Sequence, residues 1–246
     1  MKIIEVEGIV IKEIDYKESS KILNVLTKEY GVIGIVSKGC KKIKSKLSGV
    51  SRNFCYGTFH IYYKEDGLST LIAVDLINSY SNILKDLEKI SYSIFLLDLF
   101  NQTLKDNNDN NLFYLLKSSL DKINDNFDPL VITNIVEVKL LDFLGVKPSI
   151  DSCSICGSDK QIVLLSSYDG GYICKNCNKS MKTTSSKVIK LIRAYYYIDL
   201  DNIVKLEIED SEKEEINNFL NDYYDRFTGL YLKSKNFINN INKLKV

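Results

Sequence analysis

The hydrophobic period of the chain changes once. Over the first 80 residues apolar and polar positions alternate in short runs, as half-buried strands require. Residues 3–14 are β-rich, with Val6, Gly8, Val10 and Lys12 alternating against Glu7, Ile9 and Ile11. Residues 21–27 (KILNVLT), 31–37 (GVIGIVS), 53–64 (NFCYGTFHIYYK) and 68–76 (LSTLIAVDL) predict four further strands. Glu65-Asp66-Gly67 between the last two is a hairpin signal. Five short strands with turns between them predict a small closed barrel. The OB-fold is a five-stranded Greek-key barrel of this size, and the pattern alone does not separate it from other small barrels.

After Ser79 the three-four spacing of a helix face takes over, in Ile83, Leu87, Ile90, Ile94, Leu97 and Leu104. A polar linker, residues 106–111 (DNNDNN), precedes a second apolar face of Leu112, Leu115, Leu116, Leu120 and Ile123. Asp128-Pro129 supplies an N-cap and an N1 proline for a third helix, which Gly145 and then Pro148 stop. Two more helices are expected at 186–198 and from 211 to about 232. The expected class is α+β, with a barrel domain over residues 1–80 and a helical domain over 81–246.

Composition narrows the setting. Of 246 residues 45% are hydrophobic and 26% charged, an ordinary globular balance and not a disordered or fibrous one. No run approaches the ~20 apolar residues of a spanning helix. Glu5 and Glu7 stand where a signal peptide needs an apolar stretch. A cytoplasmic chain without a membrane partner is expected, with cysteines kept as thiols or metal ligands.

Four of the six cysteines fall into such a pattern. Cys153-x2-Cys156 and Cys174-x2-Cys177 are separated by 17 residues, the spacing of a double-knuckle zinc site. Each C-x2-C turn puts two sulfurs on one side, and two knuckles complete the tetrahedral shell that zinc prefers. Gly157 and Asn178 directly follow the second cysteine of each pair, and both residue types tolerate the left-handed conformation. Asp169-Gly170-Gly171 sits between Ile162–Leu165 and Tyr172-Ile173, so a hairpin should join the knuckles. Four thiolates leave no position for water, which makes the expected ion, one zinc per chain, structural. Residues 149–182 hold four Lys and three Asp, so with Zn(Cys)4 the module is about −1 and suits a staple within the helical region better than a phosphate grip. Cys40 and Cys55 have no such partners and read as ordinary small residues.

The net charge, +1 from 33 Lys+Arg and 32 Asp+Glu, conceals opposed regions. Residues 1–80 hold 12 basic and 9 acidic residues, net +3, and residues 81–246 hold 21 and 23, net −2. Between the third and fourth strands lie Lys38, Lys41, Lys42, Lys44, Lys46 and Arg52 with no acid among them. Gly39, Ser45, Ser48, Gly49 and Ser51 suggest that this loop is flexible. Phe54, Tyr56, Phe59, Tyr62 and Tyr63 follow at once. Lysines neutralise phosphates and rings stack bases, so a basic track beside barrel aromatics fits single-stranded nucleic acid. Some of the five rings must fill the barrel; Tyr56 and Tyr62 are the candidates for base contact. Two further acid-free runs are Lys182, Lys187, Lys190, Arg193 and Lys233, Lys235, Lys243, Lys245. Between them, residues 199–225 carry ten acids against Lys205 and Lys213, a candidate protein-contact or solvent face.

Catalytic chemistry is not indicated. Gly34 to Lys41 has the look of a P-loop but lacks the Lys-Ser/Thr after its second glycine. His60 is the only histidine, and no convincing carboxylate cluster for two-metal phosphoryl transfer is present.

The chain also resembles a known family. Glu7-Gly8-Ile9-Val10, Tyr16 to Ile22, Leu26 to Gly31 and Ser37-Lys38-Gly39 through Lys46-Leu47 are similar to the N-terminal domain of the bacterial recombination mediator RecO family. The likeness continues in Leu140 to Pro148, leading into Cys153-x2-Cys156, and in Leu232 to Phe237. It spans essentially the whole chain in order. The resemblance implies an N-terminal OB-fold, a helical domain with an inserted zinc module, and a non-enzymatic role in recombinational DNA repair. It implies binding of single- and double-stranded DNA, annealing of complementary strands, and a complex with RecR. With RecR, such proteins help load RecA on strands coated by single-strand DNA-binding protein, which would place this one with the nucleoid in the cytoplasm. Many relatives are Arg-rich in the basic loop; lysine keeps the charge but loses bidentate geometry. A zinc-stabilised adaptor whose nucleic-acid binding is secondary is the competing reading, and an RNA-directed module a weaker third.

Overall fold

A computed structural model describes residues 2–104, 109–232, 234–235 and 238. Half of the expected linker, residues 106–108, lies outside these residues, as do Lys233, Asn236, Phe237, Lys243 and Lys245. The chain divides into two compact units, Met1–Asp125 with Leu232–Val246, and Asn126–Tyr231.

In the first unit each alternating run becomes a strand. β1 (Lys2–Tyr16), β2 (Ser20–Thr27), β3 (Gly31–Ser37), β4 (Tyr56–Tyr63) and β5 (Ser69–Asn78) close into a barrel in the order β1-β2-β3-β5-β4. β1 is long enough to pair twice, its first half antiparallel to β4 and its second half antiparallel to β2. Closure comes from β3 and β5, parallel through Ile35↔Ser69 and Val36↔Thr70. Where β1 passes from one partner to the other, Gly8 lies opposite Gly57. Val6, Val10, Leu23, Val25, Ile35 and Phe59 fill the interior, with Leu47 and Val50 of the β3–β4 connection packed against them.

Two helices follow the barrel in this unit. The Asp86 carboxylate accepts the N–H groups of Glu88 and Lys89, and α1 (Leu87–Thr103) begins there, leaving Ile83 in the preceding turn. α2 (Asn111–Asn124) follows. α1 packs on β1, which explains why Ile9 and Ile11 are buried although they alternate with the barrel-filling Val10. The strand-to-helix switch at residue 80 is therefore not where the contacts divide; α1 and α2 belong with the barrel.

The second unit is built on α3 (Pro129–Phe143), capped by Asp128 and ended by Gly145 in the left-handed region at φ 73°. Its residues from Val131 to Val138 are all buried, so it is the central helix of the unit. The hairpin β6 (Ile162–Ser166) and β7 (Gly171–Cys174) precedes α4 (Ser186–Tyr197), and α5 (Asp210–Phe227) closes the unit. α4 and α5 both pack on α3. α5 ends five residues short of the expected 232: Thr228 caps it and Gly229 turns left-handed at φ 63°. No helix among the described residues is long and apolar enough to cross a membrane.

Candidate functional site

The β3–β4 connection is not the flexible loop that its glycines and serines suggest. It is a succession of turns, closed by Lys42 N–H to Gly39 C=O (3.1 Å), Ser45 N–H to Lys42 C=O (2.9 Å) and Ser51 N–H to Leu47 C=O (3.1 Å). Both of its ends are anchored. Gly39 N–H donates to Ser20 Oγ (3.1 Å) and Lys41 N–H to Ser19 C=O (3.0 Å), while Ser37 Oγ and Ser51 Oγ share a buried hydrogen bond of 2.7 Å. Cys40, buried within the loop, and Cys55, buried against the barrel core, add apolar anchors. Burial pushes the Cys55 thiol up to about 11, so it stays protonated and inert.

This frame holds Lys38, Lys41, Lys42, Lys44, Lys46 and Arg52 exposed. Lys41 is paired with Asp15 at 2.9 Å, and its hydrogen bond and charge hold that carboxyl below the usual carboxylate range. The other five have no carboxylate partner among the described residues. The anchoring also brings in groups that sequence spacing did not single out. Because Ser19 and Ser20 bind the loop, the β1–β2 turn stands beside it, and Tyr16, Lys17, Lys38 and Lys42 line one groove of about 470 Å³. Lys17 lies 5.2 Å from the centre of the Tyr16 ring. A second groove of about 550 Å³ is lined by Lys21, Lys41, Lys42 and Asp15, with Lys21 paired to Glu13 at 2.9 Å. Lys42 borders both.

Of the two aromatic candidates, the structure separates one from the other. Tyr62 is 42% exposed on β4, beside Ile3 of β1, and lines neither groove. Tyr56 is 6% exposed. Its ring packs between Tyr80 and Phe113, with centroids 6.5 and 6.4 Å away, and its hydroxyl donates to Glu7. The expectation that Tyr56 stacks a base is corrected: a buried ring has no free face to offer. Phe54 and Phe59 are likewise core.

His60 sits on the outer face of β4 between carboxylates of both neighbouring strands. Its Nε2 is 2.7 Å from Asp75 and its Nδ1 3.3 Å from Glu5. The hydrogen bond to Asp75, reinforced by both negative charges, raises its pKa.

In the second unit the four cysteines converge. The sulfurs of Cys153, Cys156, Cys174 and Cys177 all lie within 4.8 Å of one another, and Cys156 and Cys174 are 3.7 Å apart. The sulfur–sulfur edge of a tetrahedral tetrathiolate with ~2.3 Å metal bonds is about 3.8 Å, so the cluster has the size to hold a metal ion. The first knuckle is closed by Gly157 N–H to Cys153 C=O (2.8 Å), with Gly157 left-handed at φ 72° as expected. Asn178 departs from expectation: it is not left-handed. It secures its turn through its side chain, donating to Lys182 C=O at 2.9 Å and accepting from Ser180 N–H at 3.0 Å. The hairpin carrying the second knuckle is fixed to the unit by Tyr172, whose N–H donates to Ser149 C=O (2.7 Å) and whose hydroxyl donates to Ile189 C=O of α4. Burial opposes ionisation of Cys153, but backbone N–H groups of Cys174, Cys156 and Ile155 outweigh it and lower its thiol pKa.

A closed five-stranded barrel with a cation-bearing connection, joined to a helical unit that carries a four-cysteine module, defines an α+β protein with a candidate metal centre. The chain belongs to the recombination protein O family: residues 1–80 match the family model described as "Recombination protein O N terminal" and residues 84–236 the one described as "Recombination protein O C terminal". It is 38% identical to the DNA repair protein RecO of Bacillus pumilus, over 99% of this chain and 96% of that one. It is 35% identical to the protein of the same name from Halalkalibacterium halodurans (97% and 95%) and 34% identical to that of Listeria monocytogenes serotype 4b (96% and 94%).

Proposed function

We propose that this chain is a non-enzymatic, DNA-binding mediator of recombinational repair. It anneals complementary single strands and, with RecR, helps load RecA on strands coated by single-strand DNA-binding protein. The observation that carries the reading is the ordered, acid-free loop that presents Lys38, Lys42, Lys44, Lys46 and Arg52 without carboxylate partners among the described residues. A sequence-blind grip needs only such charge, since each lysine that meets a phosphate releases a counterion. Lys17 and Tyr16 extend the track, and Tyr62 offers an exposed ring. The barrel order with its parallel β3–β5 closure supports reading it as an OB-fold, a scaffold suited to single strands. Membership of the recombination protein O family supports a repair role, in the cytoplasm with the nucleoid.

The four cysteines support a structural zinc. The donor set is all sulfur and each ligand is held by a short turn, so zinc when bound would tie the hairpin to the connection that follows α3 without an open coordination position. The test of the DNA reading is a strand-annealing assay with Lys41, Lys42, Lys44 and Lys46 changed to alanine. Slower annealing is expected, and an unchanged rate would remove the loop from the reading.

A further inference from the structure

We propose that residues 204–209 form a docking edge for an extended, basic segment of a partner protein, which adds beside this run through main-chain hydrogen bonds. The run connects a single 3₁₀ turn, Leu200–Asn202, to the cap of α5. Its sequence, Val204-Lys205-Leu206-Glu207-Ile208-Glu209, alternates apolar and charged residues. Exposure alternates with it: Lys205, Glu207 and Glu209 are exposed, and Leu206 and Ile208 half-buried. Lys205 Nζ lies 2.9 Å from Glu207 Oε1, so side chains two residues apart share a face, as they do in a strand. The residues at either end, Ile203 (φ −75°, ψ 116°) and Glu209 (φ −69°, ψ 147°), are extended.

Despite this strand-like pattern the run belongs to no sheet. Among the described residues, the backbone N–H and C=O groups of residues 204–208 have no backbone partner. Backbone polar groups are obligatory hydrogen-bonding groups, and an unpaired strand-like edge is a template for a strand of another chain. Beside it lies an open groove of about 510 Å³, lined by Leu206, Ile208, Val131, Asp128 and Lys213, which has room for alternate side chains of an added strand. Val204, 91% exposed, offers an apolar contact at the run's start.

Charge commits the site to a basic occupant. Residues 199–225 hold ten acids and only two lysines. Both lysines are already engaged, Lys213 with Asp128 at 2.7 Å and Asp210 at 2.8 Å and Lys205 with Glu207, and Lys187 of α4 pairs with Glu209 and Glu212. Even with Lys187 counted, ten acids stand against three lysines and the surface stays net negative. Opposite charges across a strand pair stabilise it and like charges oppose it. The fitting partner segment therefore alternates Lys or Arg with apolar residues. This site is separate from the loop in the barrel unit and stands whether or not that loop binds DNA.

The test uses the full chain and a labelled octapeptide that alternates lysine and valine. Its glutamate–valine counterpart and two forms N-methylated on either set of alternate amides serve as comparisons. The lysine–valine peptide is expected to bind and to slow hydrogen exchange at the amides of residues 204–208. One of the two N-methylated forms should bind about tenfold more weakly, and the glutamate–valine peptide should not bind. Leu206→Pro removes an edge donor and should weaken binding by a similar factor with an unchanged circular dichroism spectrum. If that variant misfolds, the exposed charge reversal Glu207→Lys supplies the second readout and should also weaken binding. Equal binding by all N-methylated forms, binding without protection at residues 204–208, or no binding at all would overturn the proposal.

Discussion

Gly8 and Gly57 face each other across β1 and β4, and neither has room for a side chain. A Cβ on Gly8 would lie 2.6 Å from Val25 Cγ1, and one on Gly57 would lie 2.5 Å from the carbonyl oxygen of Asp75. Where β1 changes partner, the missing side chains let a further strand come close, β2 at Gly8 and β5 at Gly57. Gly57→Ala must push backbone, not a movable side-chain tip, and should cost about 1–3 kcal/mol as an overpacked site. Its urea midpoint should fall, whereas Gly49→Ala, with nothing within 4 Å of the added carbon, should match the parent protein.

The lysine loop should be visible in the salt dependence of binding. Changing Lys41, Lys42, Lys44 and Lys46 to alanine should flatten the logarithmic slope on single-stranded DNA by roughly 0.7 per lost phosphate contact. Lys41 is tied to Asp15, so Lys41→Ala alone should change the slope less than Lys42→Ala, whose side chain has no such partner among the described residues and borders both grooves. Titrations at several salt concentrations measure this, and parallel slopes for all variants would refute it.

Tyr62 and Tyr56 should behave in opposite ways. Tyr62→Ala removes an exposed ring and should weaken single-strand binding by about 1–3 kcal/mol if one base stacks there, with the fold unaffected. Tyr56→Phe deletes the hydroxyl bound to Glu7 and should lower stability by about 1 kcal/mol, with DNA affinity unchanged. Chemical denaturation alongside a binding titration distinguishes the two.

His60 gives the barrel a pH-dependent component. Asp75 and Glu5 hold the imidazolium, so the folded chain binds this proton more tightly than the unfolded one. The contribution is complete below about pH 6.5, the ordinary value, and is lost as pH rises through the raised one. His60→Gln should therefore show a smaller fall in melting temperature than the parent between roughly pH 6 and pH 9. Identical profiles would argue against it.

Removal of the metal should act on the helical unit. Elemental analysis should find about one zinc per chain, and Cys156→Ser should reduce it. A chelator should lower thermal stability and speed hydrogen exchange around Tyr172, which ties the hairpin to α4, while residues of the barrel interior keep their protection. Protein purified without zinc and insensitive to chelation would exclude the structural ion.

The parts legible from the residue order were those set by local periodicity. The five strands, the Asp128-Pro129 start and Gly145 stop of α3, and the convergence of the four cysteines follow from alternation, capping and knuckle spacing. What pattern could not supply was tertiary. Tyr56 and Tyr62 belong to the same strand, and Tyr80 and Phe113, both distant in the chain, decide that one is core. The order in the lysine loop rests on hydrogen bonds that Gly39 and Lys41 donate to Ser20 and Ser19 and on a hydroxyl pair between Ser37 and Ser51, none visible in the loop's own composition. Lys17 and Tyr16 joined the basic track for the same reason.

The closure of the barrel through Ile35↔Ser69 and Val36↔Thr70 alone has a consequence for how the molecule breathes. These two pairs join strands far apart in the chain, and they are few beside the long ladders that β1 makes with β2 and β4. The least costly sub-global opening of the sheet is a parting at this seam, with the other ladders intact. In hydrogen exchange the seam amides should form the first layer to give way, and a guest that wedged β3 from β5 would meet less resistance there than at any other junction between neighbouring strands.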